Sequence, residues 1–122
     1  LGFKIASSMG AGGKMDPTQI RTADLLNTRE CYLASLVRKR IRKMGVGKGI
    51  KAVFSLEKVK DESLILTDGS NFKKSAYGTI SYLPAAFGGV VASIVIRDLL
   101  DEPIPMEKKL KLPKKNDQNR RN

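Results

Sequence analysis

Apolar and polar residues recur along this chain with two different periods, which separate predicted strands from predicted helices. The apolar run Phe3–Met9 predicts a buried strand, and the alternating run Ile50–Ser55 predicts another. The segment Gln19–Leu25 alternates less regularly and predicts a half-buried strand. Two shorter runs, Leu64–Leu66 and Thr79–Leu83, predict short strands as well.

A helical period follows Thr28, which is a suitable N-cap residue for a helix that runs to about Met44. Gly45 supplies the C-terminal stop. The residues predicted to form the buried face of this helix are Leu33, Leu36, Val37, Ile41 and Met44. The opposite face carries the basic residues Arg38, Lys39, Arg42 and Lys43, with Arg40 near the apolar edge.

The segment Ala85–Leu100 predicts a second helix, with Pro84 in its first turn. Because its apolar residues run almost all the way round, we expect this helix to be part of the core. The uncharged run Tyr82–Ile96 is shorter than the ~20 residues that a membrane span needs, so no transmembrane segment is predicted. The small residues of the helix also permit a close contact between subunits.

A loop with three glycines (Gly10, Gly12 and Gly13) follows the first predicted strand and continues into Lys14 and Asp16. Glycine clusters in this position are typical of a tight turn or of a ligand held by main-chain groups. The residues alone fit a simple connector as well as a substrate-binding loop. Asp16 either caps the turn with its side chain or takes part in catalysis.

The formal net charge of +11 in 122 residues favours partners that carry phosphate. The basic cluster on the first predicted helix is joined by a basic tail, residues 101–122, which we expect to be disordered by itself. We therefore predict phosphate contacts for the helix cluster, with a merely solvated basic face as the alternative. The chain has no histidine and one cysteine, so no metal site is predicted within it.

That cysteine, Cys31, precedes the first helix and lies close to Arg29 in sequence. Helix N-termini and nearby cations favour the thiolate form of a cysteine, so Cys31 is a candidate nucleophile. A buried structural thiol is the alternative. The single cysteine also favours a reducing, cytoplasmic setting.

Two stretches carry a resemblance to a known family. They are SSMGAGGKMDPTQIRTADLLNTRECYLASLVRKRIRKMGV, which begins at Ser7, and YGTISYLPAAFGGVVASIVIRDLL, which begins at Tyr77. Both resemble the later half of the ThiF/MoeB/HesA family of E1-like, adenylate-forming enzymes, and within it the tRNA threonylcarbamoyladenosine dehydratase branch. The resemblance implies an α/β fold for residues 1–100, namely the C-terminal half of a Rossmann-like E1-type nucleotide-binding fold with a mixed sheet and two main helices.

The resemblance also implies an activity. The intact enzyme would use ATP and Mg²⁺ to adenylate and cyclise the threonylcarbamoyl group on tRNA, as a cytoplasmic homodimer. The family's nucleotide-binding glycine motif lies upstream of the part matched here, because the loop at Gly10–Gly13 opens no helix. Since the chain starts at Leu1 rather than methionine, we expect it to be a fragment, inactive alone.

The predicted site residues fall into three groups. The substrate-side loop comprises Gly10, Gly12, Gly13 and Lys14; the catalytic candidates are Asp16 and Cys31; the tRNA phosphate-binding residues are Arg38, Lys39, Arg42 and Lys43. Two alternatives stay open at this point. One is an E1-like enzyme that activates a ubiquitin-like sulfur carrier, and the other is a non-catalytic basic module that binds RNA.

Overall fold

A three-stranded mixed sheet lies at the centre of the computed structural model, which describes residues 2–61, 64–66 and 75–111. Its strands are β1 (Ile5–Ser8), β2 (Ile20–Asp24) and β3 (Ile50–Ser55), in the order β1-β3-β2. β3 pairs in parallel with β1 and antiparallel with β2. Two further strands, β4 (Leu64–Leu66) and β5 (Ser75–Tyr77), form a separate antiparallel pair.

The central strand β3 is buried on both faces because a helix packs on each side of the sheet. These helices are α1 (Tyr32–Lys43) and α2 (Tyr82–Leu99). Neighbouring residues of a strand point to opposite faces. Ala52 and Phe54 accordingly lie in the core cluster beneath α1, whereas Val53 lies in the cluster beneath α2. The predicted mixed sheet with two main helices is confirmed.

The first helix begins later than its sequence pattern predicts. Cys31, not Thr28, is the N-cap residue, and its Sγ accepts a hydrogen bond from the backbone N–H of Ala34 at 3.4 Å. Thr28 instead donates its hydroxyl to the carbonyl of Leu25 at 2.7 Å, which closes a short 3₁₀ turn after β2. Gly45 ends the helix as predicted, with a φ of 75° that favours glycine.

The buried face of α1 is also rotated from the predicted one. Ala34 is fully buried, and Val37 and Ile41 pack against the same cluster. Three residues predicted to be buried are exposed: Leu33, Leu36 and Met44. The residue of α1 that is buried in this cluster is thus the small Ala34, and larger residues on either side of it lie at the rim.

The second helix starts at Tyr82, and the strand predicted at Thr79–Leu83 is wrong. Only one face of α2 is covered, through the buried residues Leu83, Phe87 and Ile94. The predicted place of this helix in the core is confirmed for that face, while other apolar residues of α2, such as Val95, Ile96 and Leu99, are exposed. Among the described residues, α2 alone has the length and composition of a membrane span, which core helices of soluble proteins share.

The chain after α2 returns to the sheet. Arg97 donates to the carbonyl of Pro103 at 3.2 Å, Ile104 packs against the cluster beneath α2, and the backbone N–H of Glu107 donates to the carbonyl of Thr22 at 2.7 Å. Residues 101–111 of the predicted tail thus contact the folded part. Residues 112–122 lie outside the described residues, so the division at residue 100 stays a prediction.

Candidate functional site

The glycine loop connects the end of β1 to the 3₁₀ helix Pro17–Gln19. Gly13 adopts a φ of 72°, a left-handed conformation that side chains disfavour, and its N–H donates to the carbonyl of Gly78 at 2.8 Å. Gly10 lies against the start of α1, where an added Cβ would be 3.6 Å from Sγ of Cys31. The structure therefore brings the predicted loop and the predicted thiol together.

Lys14 connects this loop to the core. Its side chain is buried, with the residue only 2% exposed, and Nζ donates to the carbonyls of Glu30 at 2.6 Å, Ser55 at 3.1 Å and Glu57 at 3.0 Å. Burial lowers the pKa of Lys14, against the attraction of nearby negative charges. The three N–H donors of the Lys14 ammonium group therefore all have carbonyl acceptors within the fold. A substrate contact by Lys14 stays a prediction.

Glu57 secures the same loop from the opposite direction. Its carboxylate accepts hydrogen bonds from the backbone N–H groups of Met15, at 2.9 and 3.0 Å, and Asp16, at 2.8 Å. Sequence reasoning did not single out this residue, which lies 41 positions or more from its partners in a polar stretch. No local pattern could have found it, because the contact exists only once β3 lies beside the loop.

Asp16 caps the 3₁₀ helix with its carboxylate. Oδ1 accepts from the backbone N–H and the hydroxyl of Thr18, at 2.9 and 2.6 Å, and Oδ2 accepts from Nε2 of Gln19 at 3.1 Å. The hydrogen bond from the Thr18 hydroxyl, followed by that from Gln19, lowers the pKa of Asp16. An ionised capping carboxylate accounts for this geometry, and a catalytic role for Asp16 stays a prediction.

Cys31 is partly buried and packs against the core cluster beneath α1. Its sulfur accepts the hydrogen bond that caps the helix, as described above, so the thiol has a structural function. A catalytic role for Cys31 stays a prediction that the geometry neither requires nor excludes.

The basic residues of α1 divide into two environments. Arg38 is half-buried, donates to Oγ1 of Thr28 at 2.6 Å, and has its pKa lowered by burial and then by the charge of Arg42. Lys39, Arg42 and Lys43 are exposed, as is Arg40. Arg38 therefore supports the turn before the helix, while the other predicted phosphate-binding residues are accessible to a ligand.

The residues that the structure describes offer no Mg²⁺ site. Across residues 2–61, 64–66 and 75–111, no group of three or more acidic, histidine or cysteine side chains could hold a metal ion. Lys14 is the one lysine of the glycine loop, and its ammonium group is already surrounded by carbonyls.

Solved structures similar to this one show which class of fold the chain has. The sheet with a helix on each face is similar to solved Rossmann-type structures of the E1-like class, and the predicted fold class is confirmed. Two of these structures are E. coli tRNA N6-threonylcarbamoyladenosine dehydratase, TcdA, in complex with ATP (TM-score 0.63, 31% identity) and with AMP (TM-score 0.64, 32% identity). Each match covers 79% of this chain, and 37% and 38% of the respective TcdA chain.

Curated relatives agree with these structures. The chain is 33% identical over 125 residues to tRNA threonylcarbamoyladenosine dehydratase 2 of Saccharomyces cerevisiae, and 32% identical over 110 residues to tRNA threonylcarbamoyladenosine dehydratase of Bacillus subtilis. These matches cover 88% and 80% of this chain, which spans 28% and 41% of the relatives' lengths. No protein-family model matches the chain. The resemblance to the tRNA threonylcarbamoyladenosine dehydratase branch, over its C-terminal part, is confirmed.

Proposed function

We propose that this chain is part of an ATP-dependent tRNA threonylcarbamoyladenosine dehydratase, which adenylates and cyclises the threonylcarbamoyl group on tRNA. The observation that supports the proposal most is the similarity over 80% or more of the chain to curated dehydratases of a yeast and a bacterium. Because the chain spans less than half of these relatives, the activity belongs to the whole protein. ATP and Mg²⁺ would be held by residues outside this chain.

Within that protein, the chain would supply one wall of the substrate site. The loop of Gly10, Gly12 and Gly13 has no bulky side chains, so a substrate group can approach its backbone closely. Lys14 and Glu57 hold this loop against β3. A wall that is rigid before the substrate arrives avoids the entropy cost of ordering it on binding.

The exposed basic residues of α1 would contact the phosphates of tRNA. Lys39, Arg42 and Lys43 are accessible and lie on a chain with a net charge of +11. Each phosphate neutralised releases counterions, so this contribution falls steeply with salt. Arg38 would act indirectly, through its hydrogen bond to Thr28.

The proposal includes a homodimer in the cytoplasm. The outer face of α2 supports a subunit contact, because Val95, Ile96 and Leu99 are exposed. Two alternatives predict other partners. An E1-like enzyme that activates a ubiquitin-like sulfur carrier would bind a protein tail near Gly12, and a non-catalytic basic module would bind RNA without ATP.

The natural protein that contains this chain, purified at full length, provides the test. We expect it to convert threonylcarbamoyladenosine in tRNA to a product lighter by one water, detected by mass spectrometry of the nucleosides, only when ATP and Mg²⁺ are present. The isolated chain serves as the control and should neither bind nor hydrolyse ATP. An ATP-dependent adenylate on a protein carboxyl terminus, with unchanged tRNA, would instead favour the sulfur-carrier alternative.

A further inference from the structure

The segment that follows α2 lies along the open edge of the central sheet. We name residues 103–111 the C-terminal strap. β2 is an edge strand, because β3 pairs with only one of its sides. The strap covers the other side, where the backbone N–H of Glu107 donates to the carbonyl of Thr22 at 2.7 Å. Ile104 packs beneath α2 and fixes the beginning of the strap.

Glu107 adds an ion pair to this backbone contact. Its Oε1 lies 3.0 Å from Nη2 of Arg29, and its Oε2 lies 3.8 Å from Nε of Arg21. Arg29 also donates to the carbonyl of Lys108 at 3.5 Å, and its guanidinium lies 6.0 Å from the ring centre of Phe54. Arg29 thus lies between the strap and the core. Its contacts fix Glu107 and the backbone of Lys108 relative to the sheet.

The strap and α1 meet at the corner formed by Thr28 and Arg29. Arg38 of α1 donates to the hydroxyl of Thr28, while Arg29 binds Glu107 and the carbonyl of Lys108. The strap continues from this corner with three exposed lysines: Lys108, Lys109 and Lys111. Lys43 of α1 and Lys108 of the strap are 65 positions apart in the sequence, yet the two basic clusters extend from neighbouring points of the fold.

We propose that the strap lysines and the exposed basic residues of α1 form one continuous surface for the phosphate backbone of RNA, with Glu107 as the anchor that positions the strap. The proposal rests on the proposed function for its choice of tRNA as the RNA. Lysines that start from a fixed point lose less conformational freedom on binding than those of a free tail. Charge complementarity favours RNA as the occupant, because the exposed side chains near this corner include Lys108, Lys109 and Lys111 of the strap and Lys39, Arg42 and Lys43 of α1.

Binding of tRNA at several salt concentrations tests the surface. The strap variant carries Lys108→Gln, Lys109→Gln and Lys111→Gln. Three lost phosphate contacts should reduce the slope of log affinity against log salt by about 2 to 3 and the affinity near 0.1 M salt by about 100-fold. All three residues are exposed, so circular dichroism should show unchanged folding.

A matched control variant neutralises the same number of exposed lysines elsewhere, at Lys4, Lys58 and Lys60. Lys4 precedes β1, at the sheet edge opposite β2, and the other two follow β3. We expect a much smaller change of slope for this variant. Equal effects of the two variants would show that charge alone, without a defined surface, attracts RNA and would overturn the proposal. Binding to vesicles of anionic lipid but not to tRNA would overturn it as well.

The anchor is tested by Glu107→Ala, alone and combined with the strap variant. Removing a negative charge should by itself strengthen RNA binding, whereas loss of the anchor should make the strap lysines less effective. We therefore expect the strap substitutions to reduce affinity by less than about 10-fold in the Glu107→Ala background. An undiminished effect there would overturn the role of Glu107. These measurements report RNA affinity and do not depend on dehydratase turnover. A protein that binds tRNA through this surface but forms no dehydrated product would contradict the proposed function and not the proposed surface.

Discussion

Replacing Lys14 by methionine tests whether the glycine loop is held by a buried ammonium group. Methionine preserves the length and flexibility of the side chain but cannot donate to the carbonyls of Glu30, Ser55 and Glu57. We expect the variant to unfold at a lower denaturant concentration than the natural chain.

The magnitude follows from the environment of each acceptor. The contact with Ser55 is buried, and a buried carbonyl left without a donor costs about 1–3 kcal/mol. The contacts with Glu30 and Glu57 are partly buried, so water can replace the lysine in part, and each loss costs about 1 kcal/mol. The methionine variant no longer buries a charged ammonium group, and this gain offsets some of the cost. The net loss of unfolding free energy should be about 2–4 kcal/mol.

Urea unfolding followed by circular dichroism provides the measurement, with Lys58→Met as the control, because Lys58 is an exposed lysine near the same strand end. The control should change stability by no more than about 0.5 kcal/mol. A Lys14→Met variant as stable as the natural chain, or more stable, would refute the reasoning. It would show that the cost of burying the ammonium group exceeds the value of its three hydrogen bonds.

The same variant has a defined pH dependence. Burial lowers the pKa of Lys14 from its ordinary value of 10.5, so the folded chain releases this proton at a lower pH than the unfolded chain does. Between the two pKa values the unfolded chain binds more protons, and stability rises with pH. The natural chain should therefore gain stability relative to Lys14→Met as the pH rises toward 10.5.

Two further substitutions separate structural roles from catalytic ones. Hydrogen bonds lower the pKa of Asp16 below 3.8, so its ionised carboxylate stabilises the fold above that pH. In acid unfolding measurements, the natural chain should therefore be more stable than Asp16→Asn near neutral pH. This difference in stability should disappear as the pH falls through the pKa of Asp16 in the folded chain. Cys31→Ser should keep the cap of α1, since serine is a preferred N-cap residue, and the full-length enzyme should keep most of its dehydratase activity. Loss of that activity by several orders of magnitude, with normal ATP binding, would favour a covalent sulfur intermediate instead.

The elements that sequence reasoning located correctly are those with a local cause. Alternation placed β3 at Ile50–Ser55, and Gly45 ended α1, because both signals depend on neighbouring residues only. The start of α1 was missed because the hydroxyl of Thr28 has two possible uses, and the 3₁₀ turn after β2 takes it before the helix does. A cap preference cannot decide between two possible hydrogen-bond partners of one hydroxyl.

The residues of the candidate site could be predicted from the sequence, but the hydrogen bonds between them could not. The glycine loop and Asp16 were visible in the sequence, whereas the contacts of Lys14 with Ser55 and of Glu57 with Asp16 each span 41 positions. Such contacts depend on how β3 is placed between β1 and β2. A sequence pattern read along the chain carries no information on that placement.

The exposed face of α2 shows a related limit. The apolar residues of α2 predict that it is part of the core, yet the described chain covers only the face of Leu83, Phe87 and Ile94. The exposed apolar residues of α2, Val95, Ile96 and Leu99 among them, fit the subunit contact proposed above. The glycine loop differs, because Lys14 and Glu57 complete its support within the chain. In the proposed function, a second subunit would cover the outer face of α2, and residues outside this chain would bind the nucleotide.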